Sequence, residues 1–182
     1  MTRIGDWLQT YSGRPFWPLD PRPEEIHIED IAHSLAMRCR YGGHCTRFYS
    51  VAEHSVHVSR YVSPANALWG LLHDAPEAFS SDLPRPLKRS LPNWKPMEDR
   101  IMVAVCKRFG LVEMEPTGVK YVDLAITSDE RAVMMNPSDL PWGDLPDPLG
   151  VEIMFLNPED AKRAFIARFE ELTGEKVHQR YP

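Results

Sequence analysis

Long apolar runs are missing from this chain. Nowhere in its 182 residues do about 18 uncharged apolar residues follow one another, so no transmembrane helix is expected. The opening Met1-Thr2-Arg3-Ile4-Gly5-Asp6-Trp7 lacks the apolar core of a secretory signal, and a cytoplasmic protein is expected. Cysteine is scarce. Cys39, Cys45 and Cys106 are an odd and sparse set that does not read as a disulfide framework, so reduced thiols are expected. Basic excess is lacking as well: 21 Lys and Arg stand against 26 Asp and Glu, a net charge of -5, which excludes the electrostatic footprint of a duplex-binding protein. Repeats, low-complexity tracts and sustained strand alternation are all absent from the sequence.

What remains is 43% hydrophobic and 26% charged, ordinary proportions for a globular domain, and residues 1–182 fit a single one. Residues 1–25, rich in proline, glycine and aromatics, are expected to form an extended arm packed on the surface by Trp7, Phe16 and Trp17. Ile28, Ile31, Ala32, Leu35 and Ala36 recur at helical spacing behind the acidic first turn Glu29-Asp30, which predicts a helix from Ile28 to Cys39 ended by Gly42-Gly43. Further helices are predicted from Ser50 to Pro64, from Pro64 to Phe79, from Pro96 to Phe109 and from Thr117 to Met135. The stretch Ser81-Asp82-Leu83-Pro84-Arg85-Pro86 breaks the pattern. Residues 136–158 hold five prolines and two glycines and read as a long functional loop, and Pro158 to Leu172 reads as the last helix. The expected architecture is a compact all-α bundle.

The chemistry gathers at His73-Asp74, which closes the apolar run Ala67-Leu68-Trp69-Gly70-Leu71-Leu72, with His54 upstream and Asp123 downstream. Imidazole nitrogen and carboxylate oxygen suit divalent transition metals, and bulky apolar neighbours make a rigid, water-poor wall for them. A helical histidine taken singly is as a rule a hydrogen-bonded core or surface residue, and His27, His33, His57 and His178 read that way. The acid at the end of an apolar run is different, because burial there is costly unless it is paired or bound to metal. Cys39, His44 and Cys45 suggest a structural zinc only weakly, since their spacing is not that of a thiolate knuckle.

Four ordered blocks, Ser50-Val51-Ala52-Glu53-His54-Ser55, Leu71-Leu72-His73-Asp74-Ala75-Pro76-Glu77, Ser81-Asp82-Leu83-Pro84-Arg85-Pro86-Leu87-Lys88 and Val119-Lys120-Tyr121-Val122-Asp123, together resemble the HD-domain phosphohydrolases. Within that superfamily the blocks are most similar to the bacterial 5'-deoxynucleotidases of the YfbR type and the related phage dATP triphosphohydrolases. The resemblance spans about Ile28 to Asp129. It implies that His54, His73, Asp74 and Asp123 ligate one divalent metal per chain, Co, Zn, Mn or Ni, with Mg as a further choice. It implies catalytic roles for Glu77, Asp82 and Arg40: Glu77 as the acid/base group one helical turn past His73, Arg40 against the phosphate, and Asp82 on the sugar side of the pocket. Arg38 and Arg47 compete for the place of Arg40. Tyr41, which stands where such enzymes often carry tryptophan, His44, Lys88 and Lys120 complete the implied substrate-binding set.

The expected reaction is hydrolysis of a deoxynucleoside 5'-monophosphate to deoxynucleoside and phosphate. Two alternatives stand beside it: release of triphosphate from a deoxynucleoside triphosphate, dATP above all, and a non-catalytic nucleotide-binding module. The resemblance also implies a homodimer or larger homo-oligomer, with a small deoxynucleotide as ligand and neither membrane nor duplex nucleic acid as partner.

Overall fold

The computed structural model describes residues 2–177, so the reading of His178 as a structural or surface residue lies outside the described residues. The architecture is all-α, as the periodicity predicts. Helices α1 (Ile28–Met37), α2 (Val51–Tyr61), α3 (Ala67–Leu72), α4 (Glu77–Ser80), α5 (Arg85–Ser90), α6 (Trp94–Phe109), α7 (Thr117–Met134) and α8 (Pro158–Thr173) follow a small hairpin of β1 (Leu8–Gln9) and β2 (Pro15–Phe16). None of these helices is long and apolar enough to cross a membrane.

The arm is more than a surface wrap. Phe16 is fully buried and stacks on Phe79 of α4 at 4.0 Å between ring centroids, so the hairpin plugs the core beneath α1. Trp7 does remain outside, while Trp17 is half-buried under the Arg3 guanidinium at 4.0 Å. Helix α1 ends at Met37, before the glycines, because Arg38 to Ser50 turns away: Cys39 pairs with Ser50 and the Arg40 amide donates to the Tyr49 carbonyl. The uninterrupted helix expected from Pro64 to Phe79 is broken in two. Pro76 has no N–H to give to Leu72, and the chain tightens to bonds from Ala75 to Leu72 and from Glu77 to Asp74. His73 and Asp74 therefore lie in the turn after α3, and Glu77 opens α4 instead of continuing His73's helix. Arg85–Ser90, where only a break is expected, forms a short helix with proline in its first turn.

Helix α2 runs through the middle of the bundle, packed on α3, α7 and α8, with α1 on α8 and α4. One apolar cluster joins Leu35, Val51, Leu71, Leu72, Ile101, Phe165 and Phe169; a second joins Val58, Trp69, Val119, Ile126 and Val151. Gly70 permits the close approach of α3 to α2, since a Cβ there would meet Val62 Cγ2 at 3.1 Å and Ser59 Cα at 3.3 Å. Gly110 and Gly174 close α6 and α8 in the left-handed conformation.

The proline-rich segment after α7 carries no regular structure, yet its later half is fastened by two buried carboxylates. Asp129 on α7 accepts the amides of Leu149, Gly150 and Val151, and Glu53 on α2 accepts those of Met154, Phe155 and Leu156 at 2.7–3.0 Å. Glu53 sits three residues after the N-cap Ser50, in the position of a capping-box acid, but spends its oxygens on this distant backbone. Glu53→Ala strands buried N–H donors at about 1–3 kcal/mol each. We expect a loss of about 3 kcal/mol in urea unfolding, together with new protease cleavage between residues 149 and 157.

Candidate metal centre

Three elements deliver the ligand candidates to one point. Helix α2 supplies His54, the turn after α3 supplies His73 and Asp74, and α7 supplies Asp123. His54 Nε2 lies 3.3 Å from Asp123 Oδ1, and His73 Nε2 lies 3.2 Å from Asp74 Oδ2. The crossed distances, His54 Nε2 to Asp74 Oδ2 and His73 Nε2 to Asp123 Oδ1, are both 3.9 Å. Ligand atoms of His54, His73 and Asp123 all fall within 4.8 Å of one another, and the 3.3 and 3.9 Å from the two Nε2 atoms to Asp123 Oδ1 are spans that pairs of metal–ligand bonds of about 2.0–2.2 Å can bridge. Asp74 lies near both imidazoles but is not part of that three-residue group.

The far nitrogens decide the tautomers. His54 Nδ1 lies 2.7 Å from Glu130 Oε1 and His73 Nδ1 lies 2.8 Å from the Gly70 carbonyl; both partners accept, so both Nδ1 atoms carry the hydrogen in the neutral rings. Each Nε2 then presents a lone pair. These two atoms are buried and have no hydrogen-bond partner, and their neighbours are carboxylate oxygens, which also only accept. Acceptors turned on acceptors at 3–4 Å repel unless a cation lies between them. The group of His54, His73 and Asp123, with the outer imidazole nitrogens already anchored, could hold a metal ion, and imidazole and carboxylate are donors that suit a divalent one.

Electrostatics make the same demand. Burial alone would depress the His73 imidazole, but Asp74 and Asp123 overcome it and push its pKa up to about 9, a proton standing where positive charge is wanted. Burial would raise the carboxyls of Asp74 and Asp123, yet the imidazoles hold both well below the usual carboxylate range. Glu130 is fully buried and still held down to about 2, because Arg40 and His54 outweigh its desolvation.

Arg40 is the arginine that the fold brings to this cluster. Its Nη2 lies 3.1 Å and its Nε 3.2 Å from Glu130 Oε2, and its Nη1 lies 3.6 Å from Asp74 Oδ2. Its rivals are engaged elsewhere: Arg38 ties α1 to α4 through the Ser81 hydroxyl and the Ala78 carbonyl, and Arg47 stacks on Phe155. Tyr41 donates its phenol to Glu130 and turns its ring to Trp142 at 5.5 Å. Glu77 is buried, takes Lys88 at 2.7 Å on Oε1 and has no partner on Oε2; burial, with Asp74 and Asp82 nearby, lifts its carboxyl well above the ordinary value. Lys88 also pairs with Glu98 on α6 at 3.0 Å. Burial likewise raises Asp82, which feels the charges of Arg40, Asp74, Lys88 and His54. Lys120 is half exposed, 3.5 Å from Asp123 Oδ2, and His44 is exposed on the loop beyond Arg40. Cys39, His44 and Cys45 do not converge as a metal-holding group among the described residues.

Sequence reasoning missed Glu130, which anchors His54, Arg40 and Tyr41 at once. The available signal was its position seven residues after Asp123, two turns along the same face of α7.

Two outcomes are expected. Glu130→Gln should retain the fold and lose about 10- to 100-fold in affinity for Mn or Co, measured by competition with a chelating dye, because the imidazole loses its anionic anchor. For the metal-free protein, a pKa raised from 6.5 to about 9 means that the folded state holds the His73 proton more tightly than the unfolded chain does. That stabilisation, about 3 kcal/mol, is complete below about pH 6.5 and is lost as pH rises through 9. Urea unfolding at pH 6 and pH 9 should show the decline, and His73→Gln should flatten it.

No protein-family model matches the chain. YfdR of Escherichia coli (strain K12), an uncharacterized protein, is 37% identical over 170 residues, which cover 92% of this chain and 96% of the relative. An uncharacterized protein of Rhodobacter capsulatus is 35% identical over 187 residues, covering 91% and 95% respectively. At that identity, over nearly the whole of both chains, this protein belongs to the family of YfdR.

Proposed function

We propose that the protein is a divalent-metal-dependent phosphohydrolase of the HD-domain kind, which removes phosphate from deoxynucleoside 5'-monophosphates. The observation that carries this reading is the pair of buried Nε2 atoms of His54 and His73, without hydrogen-bond partners, beside Asp74, Asp123 and the guanidinium of Arg40. A divalent ion held there supplies Lewis acidity, which polarises a phosphoryl oxygen and lowers the pKa of water.

The chain's own groups divide the remaining work. Arg40 is pinned through Nε and Nη2 on Glu130, which leaves Nη1 as the edge turned toward the ligand carboxylates, where it can hold a phosphate oxygen without reorganising. Burial, with Asp74 and Asp82 nearby, raises the Glu77 carboxyl well above its ordinary value, the direction that suits an acid handing a proton to the departing 5' oxygen. Lys88 fixes one oxygen of that carboxyl and leaves the other without a partner. Lys120, half in solvent beside Asp123, adds positive charge at the rim.

The supply of cations favours one phosphate over three. Lys88 is committed to Glu77 and Glu98, and Arg40 is the buried cation beside the ligands. A panel of ribo- and deoxyribonucleoside mono- and triphosphates, assayed with Mn, Co, Ni and Zn, tests the reading. Orthophosphate from deoxynucleoside monophosphates is expected. Glu77→Gln should keep metal content and lower kcat by about 10²- to 10⁴-fold. Triphosphate released from dATP with little monophosphate turnover would replace the substrate and keep the metal chemistry, whereas tight nucleotide binding without any product would sink the enzyme reading.

A further inference from the structure

The loop that carries Arg40 and Tyr41 begins and ends on cysteine. Cys39 and Cys45 are half-buried free thiols whose sulfurs lie 3.4 Å apart. Three successive left-handed residues, Tyr41 at φ 57°, Gly42 at φ 60° and Gly43 at φ 80°, turn the chain back on itself and bring the two together. Both ends of the turn rest on fixed neighbours. Cys39 pairs with Ser50, the Arg40 amide donates to the Tyr49 carbonyl at 2.8 Å, and the Thr46 amide donates to the Met134 carbonyl at the end of α7, also at 2.8 Å. The sulfurs therefore do not owe their proximity to a floppy segment.

We infer that Cys39 and Cys45 form a dithiol–disulfide couple, a modification site at which oxidation by glutathione disulfide clamps the 39–45 loop around Arg40 and Tyr41. The step is a double exchange. One thiolate attacks glutathione disulfide and expels a glutathione thiolate; the second attacks the resulting mixed disulfide, closes the Cys39–Cys45 bond and expels the other. Two protons leave the protein thiols and two glutathione molecules are formed, so the protein loses two electrons and the oxidant gains them. The closing sulfurs need approach by little more than 1 Å to reach a bond of about 2.05 Å. The covalent ring therefore preserves the present turn and stiffens it. Cys45 is the thiol that waits: burial, then Cys39 beside it, pushes its pKa up to about 11. Its hydrogen points to the Arg40 carbonyl at 3.8 Å, inside the same turn.

Cys106, fully buried among the residues of α6, provides an internal control. The whole protein is incubated with graded ratios of oxidised to reduced glutathione, alkylated and digested with trypsin. Cleavage after Arg38, Arg40 and Arg47 separates the two cysteines, so the disulfide appears as Cys39-Arg40 joined to Tyr41–Arg47, while Cys106 stays alkylated. The joined pair is expected as the main product, several-fold more abundant than in urea at the same ratio, with the thermal midpoint raised by a few °C. Cys45→Ser should stop at glutathione on Cys39 and show no rise. Mixed glutathione adducts as the end product in the wild-type protein, equal yields in urea and native buffer, or a lowered midpoint would each overturn the couple as a clamp.

Discussion

A carboxylate with no access to water survives only if donors saturate it, and Glu130 is that group in this protein. His54, Arg40 and Tyr41 all turn on it, and they come from α2 and from the loop after α1, while Glu130 itself comes from α7. Three parts of the chain are thereby tied at one charged point. The tie also sets chemistry: it chooses which nitrogen of His54 bears the hydrogen, and it aims one edge of Arg40 at Asp74. Among the inner candidate ligands, His54 depends on this outer acid for its orientation, whereas His73 is held by the Gly70 carbonyl.

Negative charge is concentrated around the imidazoles. Asp74, Asp123 and Glu130 stand within one small volume, and Arg40 is the fixed cation among them. Left to itself the cluster takes up a proton on His73, at some cost in burial. A divalent cation would relieve the same imbalance more completely, because it meets the lone pairs of both histidines as well as the carboxylates. Glu77 belongs to the opposite regime. Its neighbours are mostly acidic, and Lys88 compensates them only partly.

Much of this was legible before any coordinates. The helical periodicities of α1, α2, α6, α7 and α8 gave those elements to within a few residues, because each has an apolar face and a recognisable cap or stop. His54, His73 and Asp123 are grouped in the sequence by residue type and by the resemblance of the ordered blocks that carry them, and the fold brings the three together. The errors have local causes. Pro76 stands inside an apolar run, and its missing N–H splits what hydrophobicity alone reads as one helix. Phe16 sits in a proline-rich stretch whose composition suggests surface, yet a hairpin with strands of two residues each is enough to turn it into the core. Glu130 lies 76 residues from the histidine that it anchors, a separation that only the packing of α7 against α2 closes. The split roles of Arg38, Arg40 and Arg47 depend on backbone turns, which a string of arginines does not reveal.

The fastening of residues 149–156 bears on how this segment can change. Asp129 and Glu53 grip it through main-chain amides, and an amide is the same on every residue except proline. Position is thus separated from identity along the strap. Its exposed side chains, Met154 among them, can vary without loosening the attachment, whereas proline at any of the gripped positions would cut one of its bonds. A surface built this way is held rigid by the bundle and left open to substitution, a frame on which differently decorated versions of the same edge can be displayed.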